Sequence, residues 1–343
     1  TGAIRYSTKE RVELERRMVE SFERRKGEDA HKVTEQAVEK ALSGRSLTPE
    51  QDMAYRKIVQ GKDSVEMLQG HAGTGKSYLL GAAKDAWEEC GYNVKGCALA
   101  GTAAQGLEDG TGIKSKTLHS LLKQLEGGRN VLDAKTIVVV DEAGMVGSVQ
   151  MEDLLARAEE AGAKVVLVGD TKQLQPVSGG GSFAALWGRE NEKLEIKEVF
   201  RLKEEWQQEA ALKIREGKSR EAIDMYIKND RMLVLEDRNK AIGAMAVEWS
   251  QQYDQARPGD SIMLAATNRE VNVLNDWARE YLREEGKIGT VTAKFFSESQ
   301  GKEIEIAEHD RIVFLKNDYR LNVRNGTLAQ VDFVAETSGN TFI

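Results

Sequence analysis

Cysteine is almost absent. Cys90 and Cys97 are the only two among 343 residues, too few for a disulfide framework, and no CxxC or Cys/His cluster reads as a zinc site. The histidines, His31, His71, His119 and His309, are scattered along the chain. Proline is as scarce, at Pro49, Pro176 and Pro258 alone, which argues against long disordered linkers. No apolar run approaches the roughly 18 residues needed to span a bilayer. The amino-terminal stretch TGAIRYSTKERVELERRM carries no apolar signal core, so a cytoplasmic protein without a membrane segment is expected. The formal charge of −7 argues against indiscriminate nucleic-acid binding. It leaves room for a local basic track, because net charge governs solubility and steering rather than one groove.

What is present suits a folded enzyme of about two domains. Residues 1–45 are rich in Glu, Arg and Lys, with Leu14, Met18 and Phe22 at four-residue spacing. They read as a solvated helical lead-in, continued by a second helical piece near Val33, Ala37 and Ala41. Residues 46–190 alternate apolar runs (Val65–Leu68, Val94–Ala100, Thr136–Val140, Val165–Val168) with helical segments near Lys76–Cys90, Ser115–Gln124 and Met151–Glu160. That rhythm predicts an α/β fold with a parallel sheet. Residues 191–290 repeat it more weakly, with helices at Glu205–Glu216 and Asn268–Glu285 and strands at Met232–Leu235 and Ser261–Ala265. From 291 to 343 short alternating stretches and the hairpin-type turn Asn325-Gly326 predict a small β-rich module. No repeat at solenoid periods is present.

The octapeptide Gly70-His71-Ala72-Gly73-Thr74-Gly75-Lys76-Ser77 matches GxxxxGK[ST] and lies between a strand-like and a helical stretch, where a phosphate-binding loop belongs. The glycines Gly70, Gly73 and Gly75 let the backbone curl so that the loop's N–H groups, that of Thr74 included, converge on phosphate oxygens, and the following helix adds its positive end. Lys76 would reach the β- and γ-phosphates, and Ser77 would hold Mg²⁺.

A second motif follows at Thr136-Ile137-Val138-Val139-Val140-Asp141-Glu142. The run suits a strand buried on both faces, and its carboxyl end is where parallel sheets place ligands. Asp141 is expected to bind the metal and Glu142 to polarise the attacking water. A third strand ends in Val168-Gly169-Asp170-Thr171-Lys172-Gln173. The Gln173 amide could contact both the γ-phosphate and the water without adding a titrating charge.

Taken in order, GHAGTGKS, VVVDEAGMV and VVLVGDTKQLQPV resemble the motor motifs of superfamily 1 DNA helicases. Within these they are most similar to the RecD-like branch and to the helicase portion of TraA/TraI-type conjugative relaxases. The resemblance spans roughly 46–335 and implies a RecA-like P-loop NTPase lobe, a second partial RecA-like lobe over 191–290 and a small β-rich insertion. It also implies roles for further residues. In Leu47-Thr48-Pro49-Glu50-Gln51, Gln51 would read the adenine edge. Thr102, in Ala100-Gly101-Thr102-Ala103-Ala104-Gln105, and Thr117 and His119, in Thr117-Leu118-His119, would contact DNA. Arg201, in Glu198-Val199-Phe200-Arg201, would reach the γ-phosphate. Leu202 stands where the family has Gln. Asn268 and Arg269 would hold a DNA phosphate. Two later family motifs are not found, so the second lobe's sheet reads as incomplete, and no paired-Tyr nuclease segment lies upstream.

The expected function is therefore an ATP- and Mg²⁺-dependent helicase or translocase motor of a conjugative relaxase-like protein. It would move along single-stranded DNA in the 5′ to 3′ direction, with other relaxosome proteins as partners. The alternatives are a catalytically weak nucleotide- and DNA-binding module of a relaxosome, and a RecD-like repair helicase. A P-loop kinase is disfavoured by the GDTKQLQP segment.

Overall fold

Strands that carry apolar side chains at successive positions need cover on both faces, and here they form the middle of one parallel sheet. The computed structural model describes residues 7–128, 131–174, 176, 179–254, 256–290, 292–297, 301–318, 320–321, 323–337 and 340–342. The chain separates into two units, Thr1–Ala222 and Ile223–Ile343.

The first unit runs α1 (Lys9–Arg24), α2 (Glu35–Leu42), α3 (Pro49–Gln60), β1 (Val65–Gly70), α4 (Lys76–Glu89), β2 (Asn93–Ala98), α5 (Gly101–Thr111), β3 (Ser115–Thr117), α6 (Leu118–Glu126), β4 (Thr136–Val140), α7 (Ser148–Ala161), β5 (Lys164–Gly169), α8 (Ser182–Trp187), β6 (Glu195–Ile196), α9 (Glu205–Arg215) and α10 (Ser219–Lys228), whose last residues pass into the second unit. The six strands lie in the order β3-β2-β4-β5-β1-β6, all parallel.

Alternate side chains of each central strand point to opposite faces. Val138 and Val140 of β4, with Val165 and Leu167 of β5, meet Met18 and Phe22 of α1, Leu118 and Leu121 of α6, Met151 and Leu155 of α7, and Phe183 of α8. Ile137, Val139, Val166 and Val168 meet Tyr55 and Ile58 of α3, Leu79 and Trp87 of α4, and Val38 of α2. The result is three layers, with helices covering both faces of a sheet. Several of these helices begin at side-chain caps. Thr48 and Gln51 form a capping box at α3, and Thr117 caps α6.

The second unit contains α11 (Arg238–Gln252) and α12 (Asn268–Glu284), followed by β7 (Thr292–Ser297), β8 (Lys302–Ala307), β9 (Arg311–Val313), β10 (Leu328–Gln330), β11 (Ala335–Thr337) and β12 (Asn340–Phe342). The strands pair as three antiparallel hairpins, β7 with β8, β9 with β10, and β11 with β12. The two helices meet through Trp249 and Tyr281, whose ring centroids are 6.3 Å apart. Tyr281 also stacks on Trp277 at 5.8 Å.

Several expectations are corrected. The amino-terminal helices belong to the first unit. Met18 and Phe22 are core residues, and Arg17 pairs with Glu152 at 2.8 Å. The boundary expected near 190 lies instead at 222, because β6 completes the first sheet by pairing Gln69 with Glu195 and Gly70 with Ile196. Ser115–Gln124 is a short strand followed by a helix, since Ser115–Thr117 extends the sheet beside β2 before Thr117 caps α6. Met232–Leu235 and Ser261–Ala265 are not strands, and no neighbouring segment pairs with them among the described residues.

Candidate active site

The motifs gather at the carboxyl edge of the first sheet, as parallel topology requires. β1 ends at Gly70, and the chain curls through Gly73 (φ +80°) and Gly75 (φ +78°) into α4. Both positive φ values favour glycine. The first turn of α4 has no side-chain cap, so its N–H groups are available to an anion. Thr74 donates from its hydroxyl to the His71 carbonyl at 2.9 Å and braces the loop. Lys76 folds back and donates to the carbonyls of Gly70 and His71 at 2.9 and 2.8 Å. A Cβ on Gly70 would lie 2.9 Å from Lys76 Cδ, so only glycine lets the lysine take this path. Burial pulls the Lys76 ammonium below its ordinary pKa, Asp141, Glu142 and Asp170 oppose that, and Arg201 adds to it.

Asp141 extends β4 by one ladder bond, donating its N–H to Cys97 O at 2.9 Å. Glu142 follows in the left-handed region at φ +51°, with its N–H on Asp141 Oδ1 at 2.9 Å. A non-glycine residue there stores backbone strain. Burial raises the pKa of both carboxyls. For Glu142 the negative charges of Asp141 and Asp170 add to the rise, and Lys76 opposes it. These groups sense one another across the edge of the sheet. The turn after β4 also touches the turn after β5, where a Cβ on Gly144 would lie 2.9 Å from the Asp170 carbonyl oxygen. Gln173 sits in that second turn, its N–H donating to Asp170 O at 3.3 Å.

Gln51 is buried. Its Nε2 donates to Thr74 O at 2.9 Å, and its Oε1 accepts from Thr48 N at 3.1 Å. It therefore ties α3 to the phosphate loop with one amide, leaving one donor and one acceptor site on that amide. The Phe200 N–H donates to Gly73 O at 2.8 Å. Arg201 then lies against the loop, with its Cβ 2.6 Å from where a Gly73 Cβ would stand. Ser77 is exposed at the start of α4 beside Gly110.

A family model described as an AAA domain matches residues 46–237. The chain belongs to that family. Its sequence is related to the conjugal transfer proteins TraA and TraI. It is 37% identical over 327 residues to a probable conjugal transfer protein TraA of Sinorhizobium fredii, covering 95% of this chain and 29% of that protein. Against the ATP-dependent RecD2 DNA helicase of Deinococcus radiodurans it is 42% identical over 124 residues, 35% of this chain and 17% of that one. A crystal structure of the Candida albicans Pif1 helicase aligns at a TM-score of 0.49 and 20% identity, over 85% of this chain and 70% of that chain. The chain thus spans less than a third of the TraA relative's length.

The residues expected at DNA fall in two groups. Thr102 is exposed in the first turn of α5 after β2, and Thr117 and His119 follow β3. Because β2 and β3 pair as neighbours, all three share one corner of the carboxyl edge, separated from the phosphate loop by β4 and β5 in sheet order. The Thr117 hydroxyl accepts from Ser120 N at 3.2 Å, and His119 is exposed. Asn268 and Arg269 are exposed at the start of α12 in the second unit, where Thr267 and Glu270 form a capping box.

Sequence reasoning missed the residues behind the loop. Gln69, His71, Asp170, Glu195 and Arg215 form a joined polar group there. The buried Gln69, which with Glu66 interrupts the apolar side chains of β1, is a signal that could have drawn notice. Arg215 gives none, because its partners are distant in sequence. Among the described residues no cluster of three or more His, Cys, Asp or Glu side chains could hold a metal ion. The Ser77 hydroxyl and the Asp141 carboxylate are oxygen donors of the kind Mg²⁺ takes beside phosphates and water. No helix among the described residues is long and apolar enough to cross a membrane.

Proposed function

We propose that this chain is the ATP-hydrolysing motor portion of a DNA helicase or translocase from a conjugative relaxase-like protein, and that it moves 5′ to 3′ along single-stranded DNA. One observation carries the reading. Lys76, at the start of α4 where the glycine loop curls into the helix, feels the charges of Asp141, Glu142, Asp170 and Arg201, and Arg201 lies against Gly73 of that loop. A triphosphate in the curled amides of Gly73–Ser77 would meet all of these groups, as in-line phosphoryl transfer requires. Further support comes from the names of the relatives, a conjugal transfer protein and an ATP-dependent DNA helicase.

In this reading Gln51 contacts the adenine edge with the donor and acceptor sites left on its amide. Lys76 and Arg201 neutralise charge developing on the transferred phosphoryl group. Glu142, whose pKa burial and the charge of Asp141 raise above the ordinary carboxylate value, accepts the proton of the attacking water. Gln173 orients that water. Ser77 and Asp141 would hold Mg²⁺, which supplies charge neutralisation on the phosphate oxygens when bound. Thr102, Thr117 and His119, with Asn268 and Arg269, contact the DNA backbone.

The test is a titration of ATP–Mg²⁺ against wild type and Lys76→Ala, followed by phosphate release with and without single-stranded DNA. Lys76→Ala is expected to weaken nucleotide binding at least about 100-fold, and DNA to stimulate wild-type turnover at least about tenfold. Equal affinities would remove the phosphate-cradle role. Turnover indifferent to DNA would reduce the motor to a binding module.

A further inference from the structure

The turn that carries Gln173 has an anchor that the chemistry above does not use. Asp170 is 3% exposed. Arg215, in the last turn of α9, donates from Nη1 to Asp170 Oδ1 at 2.8 Å and to Oδ2 at 2.6 Å. Asp170 Oδ1 also accepts from the Lys172 N–H at 2.9 Å, which shapes the turn. The other arm of the guanidinium, Nη2, donates to Glu195 Oε1 at 3.3 Å. Glu195 Oε1 is reached by Gln69 Nε2 at 2.9 Å and by His71 Nε2 at 3.2 Å. Gln69 Oε1 accepts from the Thr171 hydroxyl at 2.8 Å.

One guanidinium thus closes a ring of side chains drawn from β1, the phosphate loop, the turn after β5, β6 and α9. A cation at this position is a poor source of net stability, because desolvation offsets much of the attraction in a buried pair. It is a good source of geometry, because the rigid planar guanidinium holds the two carboxylates it bridges, Asp170 through Nη1 and Glu195 through Nη2, in a fixed relation. Burial alone would raise the Asp170 pKa, but the hydrogen bonds from Arg215 and the Lys172 amide and the charges of Arg215 and His71 hold it below its ordinary value. The carboxylate stays ionised and keeps its grip on the Lys172 amide. The segment from Arg201 to Arg215 therefore meets the site at both ends, at Gly73 and at Asp170.

We infer that Arg215 is a positioning residue of the hydrolytic site, locking Asp170 so that the turn Gly169–Gln173 presents the Gln173 amide in one orientation. The inference rests on the proposed role of Gln173 for its catalytic consequence, and on the hydrogen bonds alone for its structural one.

Two measurements on the whole chain separate these parts. The first is amide hydrogen exchange. In Arg215→Gln the Lys172 and Gln173 amides are expected to exchange at least about tenfold faster, with the β4 amides unchanged. Unchanged exchange at the turn, or equal acceleration in β4, overturns the inference. The second is kinetics. Arg215→Gln is expected to leave ATP affinity within about twofold while lowering kcat about tenfold, and Arg215→Lys to recover part of that loss. The double variant with Gln173→Ala should be no slower than Gln173→Ala alone, because Arg215 acts through Gln173. Losses that multiply, or a kcat unchanged in Arg215→Gln, overturn it. Where Arg215→Gln fails to fold, Arg215→Lys, which keeps the charge but loses the planar fork, is expected to shift exchange and kcat in the same directions. A wild type that binds no ATP overturns the proposed function and leaves the exchange result to decide on Arg215.

Discussion

The two units of this chain treat similar apolar runs in opposite ways. Thr136–Val140 is buried at every position, because β2 and β5 flank it and helices cover both faces. Met232–Leu235 and Ser261–Ala265 have comparable composition, yet Leu233, Val234, Ile262 and Leu264 are 72, 74, 78 and 74% exposed. An apolar run is thus a requirement for a buried strand and not its cause. The backbone N–H and C=O groups of an extended segment need a neighbouring ladder before burial becomes favourable. The first unit supplies that ladder six strands wide, whereas the described strands of the second unit pair only as hairpins.

The sharpest way to break this contrast is chemical. If the hydrolytic chemistry lies in the first unit, Glu142→Gln should retain nucleotide and lose turnover by about 10² to 10⁴-fold. Arg269→Ala in the second unit should change turnover without DNA by less than about twofold and weaken only the DNA response. Steady-state phosphate release measures both, and wild-type turnover in Glu142→Gln would remove that residue as the base.

A stability comparison follows. Ile137→Ala, at a fully buried position, is expected to destabilise the first unit by about 2–5 kcal/mol. Ile262→Ala, with its side chain already in water, should change stability by less than about 0.5 kcal/mol. Denaturant unfolding of the two variants gives the difference. A large loss at Ile262 would mean that the second segment is packed after all.

The smallest expected effect is a pH dependence confined to the first unit. His31 is buried between Gly162 O, 3.1 Å from Nε2, and Ser64 Oγ, 3.4 Å from Nδ1. Burial, with the positive charge of Lys164 behind it, lowers its pKa from 6.5 to about 4. The unfolded chain therefore takes up the proton first. The stability that this histidine contributes is present above about pH 6.5 and is lost as pH falls through about 4. The contribution is about 3 kcal/mol at most, less what solvent screening removes. His31→Gln should flatten this acid slope in thermal melts recorded between pH 7 and 4, and a slope unchanged in the variant would locate the acid sensitivity elsewhere.

Much of the site could be read from the chain because its parts are contiguous. The phosphate loop is eight consecutive residues, and the acid pair directly follows its strand. The turn with Gln173 likewise follows its own strand. Resemblance supplied Arg201, and the structure brings it against Gly73. Gly144 could not be read, since its need for glycine arises from the approach of the Asp170 carbonyl. Ser115–Thr117 could not be separated from the helix after it, because three residues carry too little periodicity and only their pairing with β2 makes them a strand. The amino-terminal stripe was legible as a helix, but its polar surroundings suggested solvent. Ion pairs such as Arg17 with Glu152 and Arg24 with Glu159 account for that polarity.

Local order alone determined that this chain carries a glycine-rich loop between a strand and a helix, a carboxylate pair after a buried strand, and helices where caps and apolar stripes agree. Those features are set by neighbours a few residues away, through backbone freedom, capping and side-chain spacing. Only the tertiary structure decided where the first unit ends, which apolar runs become strands, and that Arg215 grips Asp170 across the sheet edge. Each of those depends on groups far apart in the chain, whose meeting is worth its entropic cost only once the whole sheet has formed around them.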